Sequence, residues 1–229
     1  MLGSNSVKHR FFIKSKKQQL QIQLVVVGCL MLLITLAALF SWTTKLYFIG
    51  IIAASISLTV VAPFIDVPAM KQKGNLIYHS PLFVSEKPRN GVVKIHGGSL
   101  FDYVFVLESK MNGNQRTNLI LQQFLEGLLH LIESNKNDRD ELTIRGTSYI
   151  INERTANKMG FKVVKTDPLQ KLILIFNYFN VMITYSITKK KISFPNINHT
   201  ITFECKLNEL ILHQDFIDNL NTKLKKIKT

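Results

Sequence analysis

Six histidines, two cysteines and a scatter of carboxylates are the residues of this chain best able to do chemistry. The histidines are His9, His79, His96, His130, His199 and His213. No two of them stand four residues apart and no CxxC group accompanies them, so the spacing that puts two metal ligands on one helix face is missing. His96, at a strand end beside Gly97-Gly98, is the most suggestive of the six. His130 falls on the polar side of a helical pattern, where water satisfies it. Asp138, Asp140 and Glu141 read as a solvated loop rather than an acid–base pair. No G-x-S-x-G elbow, Walker A loop or dinucleotide fingerprint occurs. Cys29 lies inside an apolar run and Cys205 stands alone downstream, so no intradomain disulfide can form, which fits a reducing compartment. Neither a metal nor a cofactor follows from these residue types and spacings.

The elements that would position such residues begin with two apolar runs, Leu24 to Phe40 and Leu46 to Phe64, neither carrying a charge. Each approaches the roughly 20 residues that a helix needs to cross a bilayer core. The link Ser41-Trp42-Thr43-Thr44-Lys45 is short enough to force an antiparallel pair. No Asp or Glu precedes Asp66, whereas Lys8, Arg10, Lys14, Lys16 and Lys17 crowd the start, and Lys71 and Lys73 follow the second run. Basic residues near span ends stay on the cytoplasmic side, so both termini are expected there, in a bacterial inner membrane. A cleaved signal peptide is the rival reading of the first run, which is long for an h-region and is followed at once by a second. With both termini inside, Asn198-His199-Thr200 matches the N-glycosylation triplet in form only.

The formal net charge is +14, yet the basic residues do not interleave with aromatics as in a nucleic-acid module. Attraction to the anionic leaflet, about 1 kcal/mol per Lys or Arg near the surface, accounts for them more simply. Lys189, Lys190, Lys191 and the tail lysines Lys223, Lys225, Lys226 and Lys228 are expected to meet headgroups. The implied partners are the bilayer and its anionic headgroups, with room for a protein partner and none expected for nucleic acid.

Beyond the hairpin, strands are expected at Leu76–Tyr78, Leu82–Val84, Val92–His96 and Tyr103–Leu107, punctuated by Pro88-Arg89-Asn90-Gly91 and Gly97-Gly98. Asn112-Gly113-Asn114 closes that portion. Between Thr117 and Ser134 the spacing of Ile120, Phe124, Leu128 and Ile132 predicts an amphipathic helix, with Gln122, Gln123, Glu126 and Glu133 on other faces. Gly127 inside it costs about 1 kcal/mol relative to Ala and so hints at a close packing contact. The polar loop 135–140 ends it. A strand at Leu142–Arg145, extendable over 147–151, is followed by a helix at Glu153–Met159 capped by Asn152, a stop at Gly160 and a strand at Phe161–Val164. Leu172 to Ile187 is apolar apart from Asn177, Asn180 and a few hydroxyls. Buried core helix, interfacial helix and third span all remain open for it. A strand at Ile201–Cys205 and a basic helix from Leu207 to Lys226 complete the chain; Leu210, Ile211, Phe216, Ile217, Leu220 and Leu224 form that helix's apolar side.

The order strand, polar turn, helix, strand, short helix, strand over Phe105–Val164 resembles the C-terminal half of the GNAT acyltransferase fold. Gln115-Arg116-Thr117-Asn118 stands at its pyrophosphate-binding turn, and Lys158-Met159-Gly160-Phe161 matches its closing Lys-Leu-Gly-Phe pattern. Where the family has glycines this chain has Asn118 and Ile120, and Ala156 takes the place of a frequent tyrosine. The resemblance implies a truncated sheet with flanking helices and acyl-CoA as cofactor. Gln115, Arg116 and Thr117 would contact its phosphates at a helix N-terminus, and Asn152 would order the neighbouring helix.

The expected architecture is thus a two-pass transmembrane helical hairpin followed by an α/β (α+β) cytoplasmic domain. Its parts are a basic N-terminus (1–20), the hairpin (21–65), the domain (66–168), and a membrane-proximal apolar helix with the basic C-terminal helix (169–229). Three function classes fit it: a non-catalytic, membrane-anchored interaction protein, an acyltransferase-like enzyme at the membrane surface, and a lipid-surface sensor.

Overall fold

The computed structural model describes residues 7–136, 142–148, 151–197 and 200–227. The loop acids Asp138, Asp140 and Glu141, the strand extension through 149–150, Asn198-His199 and Lys228 lie outside them. Two helices, α1 (Lys16–Thr44) and α2 (Tyr47–Gln72), are long and apolar enough to cross a membrane. Ser15 opens α1 with a reciprocal capping box to Gln18. The connection shrinks to Lys45-Leu46, since Lys45 adopts a left-handed conformation (φ 60°) that reverses the chain at once. The helices approach closely where Gly50 faces Ser41; a Cβ on Gly50 would collide with the Ser41 hydroxyl.

The domain follows α2 almost without a linker. Its six-stranded sheet runs β1-β2-β3-β4-β6-β5, with β1 (Leu76–Ser80), β2 (Phe83–Glu86), β3 (Val92–Gly97), β4 (Thr143–Ser148), β5 (Lys162–Val164) and β6 (Ile201–Lys206). Only β3 and β4 pair in parallel. Because β6 sits between β4 and β5, the sheet of the 66–168 stretch is completed by residues from the last third. The connection between β3 and β4 carries α3 (Leu100–Val106) and α4 (Gly113–Asn135). One sheet face is closed by α4, where Leu125, Leu128, Leu131 and Ile132 meet Phe83, Ile95, Ile144 and Phe203 in the main core.

Several expectations are corrected. Tyr103–Leu107 is not a strand: the aromatic and β-branched run favours one, but Ser99 and Asp102 form a capping box that starts α3. Burial of Leu100, Phe101, Tyr103 and Val106 then holds the helix. The apolar stretch at 172–187 starts earlier and breaks at Asn177 into α6 (Pro168–Phe176) and α7 (Tyr178–Lys189), bent by 67°. The C-terminal helix is likewise two, α8 (Leu207–Leu212) and α9 (Gln214–Ile227), parting at His213, against which Gly160 packs. Within α9, Phe216 is exposed while Ile217 is buried in the core. Gln122 and Gln123, on faces other than the apolar one, are buried as well, sharing Glu126 Oε2 as acceptor (2.6 and 2.7 Å). Asn152 caps α5 (Glu153–Lys158), accepting the Thr155 N–H at 2.9 Å.

Candidate membrane-interface site

The N-terminal segment folds back onto the domain instead of trailing from it. Arg10 donates from Nε to the Phe105 carbonyl (2.9 Å) and from Nη2 to those of Val104 (2.7 Å) and Leu107 (2.9 Å), so a cation caps the C-terminus of α3. His9 Nε2 lies 3.1 Å from Asp102 Oδ1, which also accepts the Tyr78 hydroxyl at 2.6 Å. The second carboxylate oxygen, Oδ2, accepts Ser99 N–H (2.7 Å) and Oγ–H (2.8 Å). Burial, then the Asp102 charge and hydrogen bond, pushes the Tyr78 hydroxyl well above the usual phenol range. Around this polar knot Phe11, Phe12, Phe101 and Phe105 pack ring on ring, and Phe64 of α2 meets Phe101 edge-on at 5.8 Å. Lys71 Nζ, near the end of α2, sits 3.4 Å above the Phe12 ring. Segment, hairpin end, β1 and α3 thus form one joint. The Ser99-x-x-Asp102 signature was available to sequence reading; nothing local marks His9, Arg10 or Tyr78 as its partners.

The sheet face away from α4 is polar. Arg145 on β4 holds Glu204 on β6 through Nε (2.8 Å) and Nη2 (2.5 Å), and His96 Nε2 lies 3.0 Å from Glu86. That hydrogen bond keeps the Glu86 carboxyl below its ordinary range. Lys94, His96, Arg145, Thr147, Thr202 and Glu204 floor a cavity of about 290 Å³ whose far wall includes Leu169 and Ile173 of α6. The groove is amphipathic, with the Arg145–Glu204 ion pair in its floor and apolar side chains of α6 on its far wall. His96 is thus an exposed residue at the groove's edge, hydrogen-bonded to Glu86. Among the described residues, no group of three His, Cys, Asp or Glu side chains could hold a metal ion.

The residues singled out for acyl-CoA phosphates are occupied otherwise. Gln115 and Asn112 form the capping box of α4, with Asn112 Oδ1 accepting the Gln115 N–H (2.9 Å) and Gln115 Oε1 accepting the Asn112 N–H (2.9 Å). Arg116 is buried and donates to the carbonyls of Ile187 (2.5 Å) and Glu108 (3.0 Å). Thr117 Oγ1 returns to the Gly113 carbonyl at 2.9 Å. A Cβ on Gly113 would lie 2.9 Å from the Lys189 carbonyl, so α7 seats directly on the start of α4. Asn152 stands apart, beside Glu153, Arg154 and Asn157 around a shallow surface hollow. Lys189, Lys190 and Lys191 are exposed where α7 ends. Compared with family models, curated proteins and solved structures, the chain gives no match.

Proposed function

We propose that this chain is a membrane-anchored interaction module without catalysis of its own, holding a polar binding groove at the cytoplasmic surface of a bacterial inner membrane. The buried joint carries the reading. A domain that only needed tethering could hang on a flexible linker, whereas here His9, Arg10, Tyr78 and Asp102 lock it to the end of the hairpin. The lock fixes the sheet's polar face relative to the bilayer. The basic residues at the domain-side ends of the spans support a cytoplasmic placement. Commitment of Gln115, Arg116 and Thr117 to protein groups favours binding over an acyltransferase-like reaction.

The test uses the full chain in cells. A photo-crosslinking side chain at Lys94, in the groove, is expected to trap a discrete adduct that Asp102→Ala diminishes by loosening the joint. No adduct, or one indifferent to Asp102→Ala, overturns the reading. Concentration-dependent thermal stabilisation by acetyl-CoA, as ligand linkage requires, would show cofactor binding and favour the acyltransferase alternative instead. A cysteine at Ser134 should react with an impermeant maleimide only after permeabilisation; labelling of intact cells would refute the orientation.

A further inference from the structure

We infer that α6 and α7 form a broken helix that dips into the domain-side leaflet beside α2, with lipid acyl chains as its partner. This goes beyond the groove and its occupant, and rests only on the hairpin crossing the bilayer.

α7 is inside out for an aqueous helix. Its buried residues are Asn180, Thr184 and Thr188, four apart and all polar, while none of its apolar residues is buried. A water-facing helix buries the opposite set. α6 has no buried residue at all; Leu169 and Ile173 border the groove, whereas Leu172, Ile175 and Phe176 stand exposed outside it, Phe176 by 72 %. An apolar surface of that extent on a soluble face would be a docking or aggregation patch. What covers it follows from depth. Asn180 Nδ2 donates to the Thr59 carbonyl of α2 at 2.8 Å. Thr59 lies five residues inside Phe64, whose own carbonyl accepts from Gln23, the last polar residue before the apolar run of α1. At 1.5 Å per residue, Asn180 is about 7–8 Å below that apolar boundary.

The rest of α7 fits the same frame. Lys189 comes nine residues after Asn180, about 13 Å along the helix, so the cluster Lys189-Lys190-Lys191 emerges at headgroup level. The threonine hydroxyls inside the leaflet are turned onto backbone: Thr184 Oγ1 donates to the Asn180 carbonyl (2.6 Å) and Thr188 Oγ1 to that of Thr184 (2.9 Å). At the break, Asn177 N–H and Nδ2–H both donate to the Ile173 carbonyl (3.0 and 2.9 Å). Irregular backbone survives at membrane depth only when satisfied in this way. Acyl chains therefore suit this surface better than a second copy does, because Phe176 shares its depth with the exposed apolar faces of α1 and α2.

The test is site-directed spin labelling of the full chain in phosphatidylethanolamine–phosphatidylglycerol bilayers. The background is Cys29→Ser, since Cys205 is buried. Labels at Phe176→Cys and Leu172→Cys should collide more with dissolved oxygen than with a water-soluble nickel chelate, as at Leu33→Cys in α1. A label at Ser134→Cys should show the reverse preference. Nickel accessibility at 172 and 176 equal to that at 134 overturns the inference. So does dipolar broadening between labels on different molecules, which would assign the surface to a homodimer. Should Phe176→Cys misfold, Leu172→Cys on the same exposed helix decides. Failure here leaves the groove reading standing, and failure of the Lys94 crosslink leaves this one standing.

Discussion

Replacing Gly127 with alanine sets two magnitudes against each other. Helix propensity alone predicts a gain of about 1 kcal/mol, since glycine is that much worse than alanine inside a helix. The tertiary setting opposes it. A Cβ at 127 would lie 2.5 Å from Phe83 Cγ and Cδ1 and press on Phe83 Cβ as well, where carbon pairs rest at about 3.5–4.0 Å. Phe83 cannot yield by rotating: its Cβ is fixed by β2, it is fully buried, and Phe124 meets its ring edge-on at 4.9 Å. Overpacking of this kind costs about 1–3 kcal/mol. A cost at the upper end less the propensity gain gives a net loss of about 2 kcal/mol, a fall in melting temperature of about 4–8 °C. The assay exploits Cys205, which shares this core and whose thiol burial, with Glu209 and Glu204 adding to it, pushes up to about 12. In a Cys29→Ser background, a fluorogenic maleimide reacts at neutral pH only when the core opens. Gly127→Ala should lower the temperature of Cys205 modification, and its cost should shrink when measured in a Phe83→Ala background, where the clashing ring is gone. A Gly127→Ala protein as stable as the parent, or more so, refutes the packing argument.

Asp102→Ala removes the acceptor shared by His9, Tyr78 and Ser99, and by analogy with broken buried pairs should cost about 3–5 kcal/mol; an unchanged Cys205 unmasking temperature would show the joint to be dispensable. His79 is held down to about 4 by burial first and by the His130 charge second, so the folded state disfavours the protonated form. The unfolded chain then binds the extra proton between about pH 6.5 and 4, and stability should fall as pH drops through that window and level off below it. The loss should be about 1–2 kcal/mol after allowance for partial exposure, should vanish in His79→Gln, and would be refuted by a flat profile. Asn180→Ala deletes the hydrogen bond from α7 to the Thr59 carbonyl of α2 and, at the proposed membrane depth, should cost only about 0.6 kcal/mol; a loss several times larger would mean Asn180 does more than join α7 to Thr59.

Patterns confined to one segment were readable without coordinates. The apolar runs require helices because backbone groups in hydrocarbon must bond within their own segment, and α1 and α2 follow. The i, i+4 spacing of Ile120, Phe124, Leu128 and Ile132 suffices for α4, as does Asn152 for the start of α5. Gly127 announced its contact because glycine in a helix interior costs something that packing must offset. What tertiary structure decided depends on partners far along the chain. Tyr103–Leu107 had strand propensity and became α3, where burial against the N-terminal segment and α2 outweighs a preference worth tenths of a kcal/mol per residue. His9 meets Asp102 across 93 positions, and Asn180 meets Thr59 across 121. No periodicity encodes such pairings, since a side chain's type states what it can bond and only the fold states what it reaches.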